Sequence, residues 1–288
     1  MLSRSSIGAI ALMAVALMTA QGARAFDDAQ YPNFKGQWLR ARPPAGVTGQ
    51  GPFDPDKSWG VGQQAPLTPE YQAVFEASLA DQAAGGQGQW QGAKCLAVGM
   101  PGMMTLFRPM EVVVKPEVTY ILIDHIRDSR RRVYTDGRDW PTDAQPSFDG
   151  YSIGKWIDRE GKGRFDTLEI ETRNFKGPRA FEPSGLPLHA DNQTVVKERI
   201  YLDKSDPDLM HNDLTVFDHA LTRPWTVAKK YRRDKVEFPI WPEDMCVEGS
   251  GLVFIGNDMY FQSGEGMLMP AKKGQQPPDL HYFNQPKK

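Results

Sequence analysis

Apolar and polar residues alternate along much of the chain, and most of these runs have the two-residue period of β-strands. Eight strands are predicted, at residues 104–115, 118–126, 131–135, 152–158, 164–173, 194–203, 213–219 and 225–232. Turn-forming residues separate them, and short connections favour antiparallel neighbours. No helical pattern interrupts the series, so the helices that parallel crossovers need are not expected.

This series predicts a mainly β protein built around one core at residues 104–236. An antiparallel up-and-down barrel of the lipocalin type accounts for the strands most simply, because closure leaves no exposed sheet edge. A two-sheet β-sandwich is the alternative architecture. Both predict an interior lined by alternate residues of each strand.

The chain before the barrel, residues 26–103, reads as an N-terminal arm followed by one helix. The arm is rich in Gly, Pro, Trp and Asp, with a short strand predicted at 36–39. Thr68 suits a helix N-cap and Pro69 the first helical position, and apolar residues follow at helical spacing. Residues 237–288 are expected to close one end of the barrel and to finish in a loose tail.

Residues 1–25 have the pattern of a secretory signal peptide. Arg4 precedes an apolar run at 7–20, and Ala23-Arg24-Ala25 fits a cleavage site, so we expect cleavage after Ala25. The protein is therefore predicted to be periplasmic or secreted. The apolar run is too short to span a bilayer and no later run is long enough, so no transmembrane segment is expected.

The net charge and the cysteine content limit which functions and which covalent links are expected. A formal net charge of −2 gives no reason to expect nucleic-acid binding. The local cluster of Arg127, Arg130, Arg131 and Arg132 is interpreted as a solvated turn and strand start. The chain has two cysteines, Cys95 and Cys246. In an oxidising compartment they form one disulfide or remain two buried thiols, and the sequence leaves both interpretations open.

Residues 150–154 match the G-x-S-x-G pattern of a serine-hydrolase nucleophile elbow. Such an elbow needs a strand-to-helix turn, whereas the residues that follow Ser152 alternate like a strand. Ser152, Asp191 and His219 can be written as a catalytic triad, but nothing in the sequence fixes their geometry. A glycine-flanked strand entry is therefore the favoured interpretation.

Residues 158–169 resemble a calcium loop, with acids at several ligand positions. Lys162 stands where a ligand oxygen is needed, so a hairpin tip formed by Gly161 and Gly163 is favoured over calcium. The histidines show no metal-ligand spacing, and no Walker loop or G-x-G-x-x-G motif follows a strand. We therefore expect no metal and no cofactor.

The candidate acid–base residues are Glu198, His219 and His189. Alternation places Glu198 on the same strand face as Val196, Ile200 and Leu202. A carboxylate there is either a functional group with a raised pKa or the partner of an inward-facing arginine. His219 follows Asp218 and His189 precedes Asp191, and such histidines serve either as acids and bases or as surface groups.

The candidate binding residues are the aromatic and charged side chains Asp136, Arg138, Tyr151, Trp156, Arg199 and Trp225. Asp-Gly pairs are favoured in turns, so turn formation alone explains why Asp136 and Gly137 occur here. The functional interpretation places Asp136 and Arg138 at the barrel mouth as an ion pair that orients a ligand.

Five strings occur in one order between residues 95 and 232: D-G-R-x-x-P, G-x-S-x-G-x-W, D-T-L-x-x-x-T-x-x-F, Glu198-Arg199 and Pro224-Trp225. Together they resemble a large group of secreted, uncharacterised bacterial proteins. No activity is established for that group, so the resemblance implies secretion and assigns no catalytic residue.

Three hypotheses about function follow. The first is a periplasmic barrel that encloses an apolar or aromatic small molecule, with Glu198, Arg138 and His189 as orienting polar groups. The second is a cofactor-free isomerase, lyase or hydrolase with Glu198 or His219 as the base. The third is a structural module without a cavity. If Glu198 and Arg138 lie on opposite faces of the barrel wall, both of the first two hypotheses lose their polar anchor.

Overall fold

The computed structural model describes residues 27–41, 65–84, 97–105, 108–125, 127–176, 194–241, 252–262 and 267–278. Nine strands form one closed barrel, which confirms the predicted fold class. They are β1 (Gln37–Arg40), β2 (Met110–Val114), β3 (Val118–His125), β4 (Arg127–Tyr134), β5 (Tyr151–Ile157), β6 (Thr167–Arg173), β7 (Val195–Leu202), β8 (Leu209–Phe217) and β9 (Trp225–Arg233).

The barrel strands follow one another in chain order, and β1 closes the ring. Trp38 pairs with Met110 of β2 on one side and with Arg233 of β9 on the other. The short strand predicted at 36–39 is thus the ninth barrel strand. Strands β4 and β8 each begin four residues earlier than predicted, at Arg127 and Leu209.

One neighbouring pair runs parallel, which corrects the expectation that all pairs are antiparallel. Val133 and Tyr134 of β4 pair with Ser152 and Ile153 of β5 in the same direction. The connection between them, residues 135–150, is long enough to return the chain to the end of the barrel where β4 began. A parallel pair therefore forms without a crossover helix.

The N-terminal arm covers the end of the barrel at which β1 begins. Phe34 is buried there, and its carbonyl accepts a hydrogen bond from Trp38 Nε1 at 2.9 Å. The Arg233 guanidinium lies 4.2 Å from the centre of the Trp38 ring and donates to the Asn33 carbonyl at 2.7 Å. Cation–π and hydrogen-bond contacts thus hold the arm to the last barrel strand.

The opposite end carries residues 97–105 and the helix α1 (Pro69–Ala83). Met100, Met103 and Met104 are buried within the same apolar cluster as the barrel interior. Helix α1 places Phe75 against Ala220 in the β8–β9 connection. Its start agrees with the predicted Pro69, and in the part of the chain described here no helix is both long and apolar enough to cross a bilayer.

A second, three-stranded antiparallel sheet lies outside the barrel. It consists of β10 (Leu252–Ile255), β11 (Asp258–Gln262) and β12 (Leu268–Pro270). Lys272, just after β12, forms an ion pair with Asp81 of α1 at 3.0 Å, so this sheet contacts the helix. Residues 1–26, the two cysteines and His189 lie outside the described residues, and the predictions made for them stay predictions.

Candidate functional site

A line of polar side chains crosses the mainly apolar barrel interior, one from each of six consecutive strands. Each exposes 7% of its surface or less. We call this set the polar belt, and its members are Arg131 (β4), Ser152 (β5), Thr172 (β6), Glu198 (β7), Asn212 (β8) and Lys229 (β9). Burial of polar groups is costly unless each finds a partner, so the contacts of the belt decide what it does.

Arg131 and Glu198 form a buried ion pair at the centre of the belt. The Arg131 Nη1 atom donates to Glu198 Oε1 at 3.2 Å, and Nη2 contacts Glu198 Oε2. The remaining donors of the guanidinium bind the Thr172 hydroxyl at 2.8 Å and the Ser152 hydroxyl at 3.0 Å. A bidentate pair with extra hydrogen bonds is the geometry in which a buried ion pair is tolerated.

The pairing gives Glu198 the inward-facing arginine that one of its two interpretations required. Its Oε1 atom also accepts a hydrogen bond from Asn212 Nδ2 at 2.9 Å, so both carboxylate oxygens are engaged. The inward-facing arginine is Arg131, which is 1% exposed. The interpretation of Arg131 as a solvated residue was wrong, because alternation along β4 turns it inward together with Val133.

The belt residues of β8 and β9 are paired less completely than Arg131 and Glu198. Asn212 and Lys229 stand directly opposite each other on β8 and β9. The Asn212 Oδ1 atom is buried and accepts no hydrogen bond from the described part of the protein. Burial, and secondarily the Arg40 charge, lower the pKa of Lys229 to about 8. Within the described ranges, no carboxylate forms an ion pair with Lys229.

Tyr231 connects the belt to the methionine-rich segment. It follows Lys229 on the same inward face of β9, and its hydroxyl donates to the carbonyl oxygen of Met104. Complete burial raises its pKa, and the nearby Glu198 carboxylate adds to the rise. The hydroxyl therefore stays protonated and acts as a hydrogen-bond donor.

Three tryptophans supply aromatic walls around the belt. Trp38, Trp156 and Trp225 belong to one buried cluster. The indole Nε1 of Trp156 and the hydroxyl of Thr119 are buried and have no hydrogen-bond partner among the described residues. The interior thus combines buried aromatic and sulfur-containing side chains with a few polar atoms that have no partner among the described residues.

The G-x-S-x-G string is part of a strand and forms no nucleophile elbow. Ser152 lies within β5, is 1% exposed, and its hydroxyl lies between Arg131 and Thr172. A Cβ on Gly154 would lie 2.5 Å from Val133 Cγ1, and one on Gly150 would lie 2.7 Å from the Arg173 carbonyl. Close packing therefore explains both glycines.

His219 lies away from the polar belt, in the connection after β8. Its Nε2 atom is 2.8 Å from the Tyr71 hydroxyl of α1, and its Nδ1 atom is 3.6 Å from Asp218 Oδ1. The structure does not bring His219 and Glu198 into one site, because Glu198 points into the barrel and His219 points towards the helix.

Asp136 and Arg138 form an ion pair on the outer surface of the barrel. The Arg138 Nη2 atom lies 2.6 Å from Asp136 Oδ2, and the guanidinium lies 3.8 Å from the centre of the Tyr134 ring. Tyr134 faces outward because its neighbour Val133 faces inward. Arg138 and Glu198 therefore do not face one interior, and Arg138 is not a polar anchor for a ligand inside the barrel.

We expect the Asp136 carboxyl to titrate with a midpoint near pH 2. The hydrogen bonds and charge of Arg138 lower its pKa from 3.8 to about 2. The pair is intact above the ordinary carboxyl pKa and is lost as the pH falls through 2. Carbonyl-carbon NMR would measure this midpoint, and Arg138→Gln should return it to about 4. An unchanged midpoint in that variant would contradict the pairing.

The remaining candidate residues divide between the two faces of the barrel wall. Trp156 and Trp225 are buried and point inward. Tyr151 is half-buried on the outside and stacks on Tyr134, with ring centres 5.1 Å apart. Arg199 faces outward on β7, 4.0 Å from Glu169. His189 lies outside the described residues.

The acidic loop after β5 is a hairpin tip, as the sequence favoured. Asp158 accepts backbone hydrogen bonds from Lys162 at 3.1 Å and from Gly163 at 2.7 Å. Gly161 and Gly163 both have positive φ angles. Across the described ranges, no group of three or more His, Cys, Asp and Glu side chains is arranged to hold a metal ion.

Sequence reasoning missed the inward roles of Arg131, Asn212 and Lys229. The signal was present, because Lys229 lies in register with the large apolar residues Trp225, Val227 and Tyr231 at every second position of one strand. The two-residue period alone places Lys229 on the buried face.

No family model matches the chain, and no curated protein matches its sequence. The barrel and its polar belt are therefore the basis on which a function is inferred.

Proposed function

We propose that this protein is a secreted or periplasmic β-barrel that binds an apolar or aromatic small molecule in the barrel interior. The proposal depends on one observation above all. Buried polar atoms of Asn212, Trp156 and Thr119 face the interior without hydrogen-bond partners in the described structure. Native proteins pair the great majority of such atoms, so three of them inside one barrel support a site where a bound molecule supplies the partner.

The surrounding side chains support the same conclusion. Trp38, Trp156 and Trp225 provide flat apolar surfaces, and methionines at one end adapt their shape to irregular ligands. Polar atoms are few and fixed in place by neighbouring strands. A site of this kind gains affinity from apolar contact and selectivity from the polar groups.

A titration with the neutral fluorescent probe N-phenyl-1-naphthylamine tests this proposal. We expect saturable binding of one probe per chain, with energy transfer from the buried tryptophans. Native mass spectrometry of the unlabelled protein, purified without organic solvent, would identify any molecule that copurifies. Its mass gives the ligand class directly.

Exposed apolar residues provide the matched control for probe binding. Phe238 and Ile240 are 77% and 75% exposed and could take up the probe on the outside of the protein. The Phe238→Ser, Ile240→Ser double variant should bind the probe as tightly as the natural chain. Binding that is non-saturable, or that disappears in this variant, would refute an interior site.

A further inference from the structure

We propose that Lys229 and Asn212 form a subsite for the anionic head of the bound molecule, so that the ligand is an amphipathic carboxylate. This inference rests on the proposed function, because it names the class of molecule that the barrel interior takes. Lys229 provides the cation, and Asn212 Oδ1 accepts a hydrogen bond from a hydroxyl or amide group next to the carboxylate.

The position of Lys229 supports this assignment. Its side chain is 7% exposed and lies on the inward face of β9, between Val227 and Tyr231. A buried ammonium is ordinarily paired. The two other charged members of the belt, Arg131 and Glu198, are paired with each other, and Glu198 also accepts from Asn212. In the described structure Lys229 is thus the belt cation that an incoming anion can neutralise.

Asn212 adds the second recognition element. It stands opposite Lys229 in the β8–β9 register, and its Nδ2 donor is fixed by Glu198. This bond sets the orientation of the amide, so that Oδ1 is left as a buried acceptor. An acceptor beside a cation favours a ligand that presents a hydrogen-bond donor near its carboxylate, as a 2-hydroxy acid does.

The surroundings define the rest of the ligand. Trp225 and Val227 precede Lys229 on the inward face of β9, and Leu214 of β8 pairs with Val227. A carboxylate bound at Lys229 would therefore carry its alkyl or aryl portion along an apolar wall. Burial of that portion supplies most of the affinity, and the ion pair selects the charged head group.

The charged groups of the interior predict how binding depends on pH. The charge that acts on Lys229 is that of Arg40, and the other titratable groups on the inward face of β4, β7 and β9 are Arg131, Glu198 and Tyr231. The lysine changes charge near neutrality, since burial lowers its pKa to about 8. Carboxylate affinity should be constant below that pH, where the ammonium is charged. Above it, affinity should fall by up to about tenfold per pH unit.

The test compares decanoate and 2-hydroxydecanoate with neutral 1-decanol, each displacing N-phenyl-1-naphthylamine from the full chain. Decanoate should bind the natural protein more tightly than decanol, and 2-hydroxydecanoate more tightly again. Lys229→Met should weaken decanoate about tenfold to hundredfold and leave decanol unchanged. Methionine has a similar length and no charge, so the variant is expected to fold.

Lys230→Met is the matched control, since Lys230 is the exposed neighbour of Lys229 on the same strand. It removes one positive charge outside the barrel and should leave every affinity unchanged. Equal binding of decanoate and decanol would overturn the subsite while leaving the interior binding site intact. Failure of all three compounds and of the probe would overturn both proposals. Decanoate affinity that rises above pH 8 would also overturn the subsite.

Discussion

Arg131→Met should lower the free energy of unfolding by about 3–5 kcal/mol, the loss expected when one partner of a buried ion pair is removed. The substitution leaves the Glu198 carboxylate, 2% exposed, without its bidentate partner inside the barrel. It also removes the donors that bind the Ser152 and Thr172 hydroxyls. Urea denaturation followed by tryptophan fluorescence would measure the change.

Two further variants separate the effect of leaving a buried charge unpaired from the effect of removing a charged residue as such. The double variant Arg131→Met, Glu198→Met should recover much of the lost stability, because it removes both charges and keeps similar volume. Arg173→Met breaks an exposed pair with Glu171, and it should change stability by at most about 1 kcal/mol. If Arg131→Met and Arg173→Met were equally mild, Arg131 would not be a buried ion-pair partner.

Gly150→Ala should destabilise the protein by about 2–5 kcal/mol, from two separate physical causes. The φ angle of Gly150 is +71°, which strains any residue with a Cβ. A Cβ at this position would also lie 2.6 Å from the Phe175 ring and 2.7 Å from the Arg173 carbonyl oxygen. The backbone atom cannot move aside without disturbing the β5–β6 pairing.

Gly161→Ala isolates the contribution of backbone strain, so the difference from Gly150→Ala gives the contribution of packing. Gly161 has a φ angle of +65°, close to that of Gly150, but its Cβ would meet nothing within 4 Å. The free energy of unfolding of this variant should fall only by the cost of backbone strain, about 1–2 kcal/mol. Thermal denaturation of both variants measures the difference. Equal losses would show that close packing around Gly150 is not what requires a glycine there.

These outcomes bear on function as well as on stability. The polar belt divides into a half that is internally satisfied, around Arg131 and Glu198, and a half with free bonding capacity, around Asn212 and Lys229. The satisfied half fixes the orientation of the Asn212 amide. Variants of Arg131 should therefore reduce stability first, whereas variants of Lys229 should reduce ligand affinity with the fold intact.

Much of the fold was predictable because strand alternation is a local property of the sequence. Each predicted strand has a counterpart, and the helix start at Pro69 and the glycine hairpin at 161–163 also appear in the structure. The strand predicted from residue 104 begins only at Met110, because Gly102–Thr105 form a 3-10 helix, and the strand predicted from residue 164 begins at Thr167. The parallel β4–β5 pair was not predictable, because the direction of a strand after a long loop depends on how the whole sheet closes. Glu198 was placed on the correct face by the same local argument.

What the sequence by itself determined is the set of inward-facing positions, since side chains alternate along a strand whatever its neighbours are. It could not determine which inward residues meet. Arg131 and Glu198 are far apart along the chain and come together only because strands β4 to β7 close around one interior. The same closure leaves Lys229 beside Asn212 instead of beside a carboxylate, because strand tilt and register bring distant residues together across a barrel.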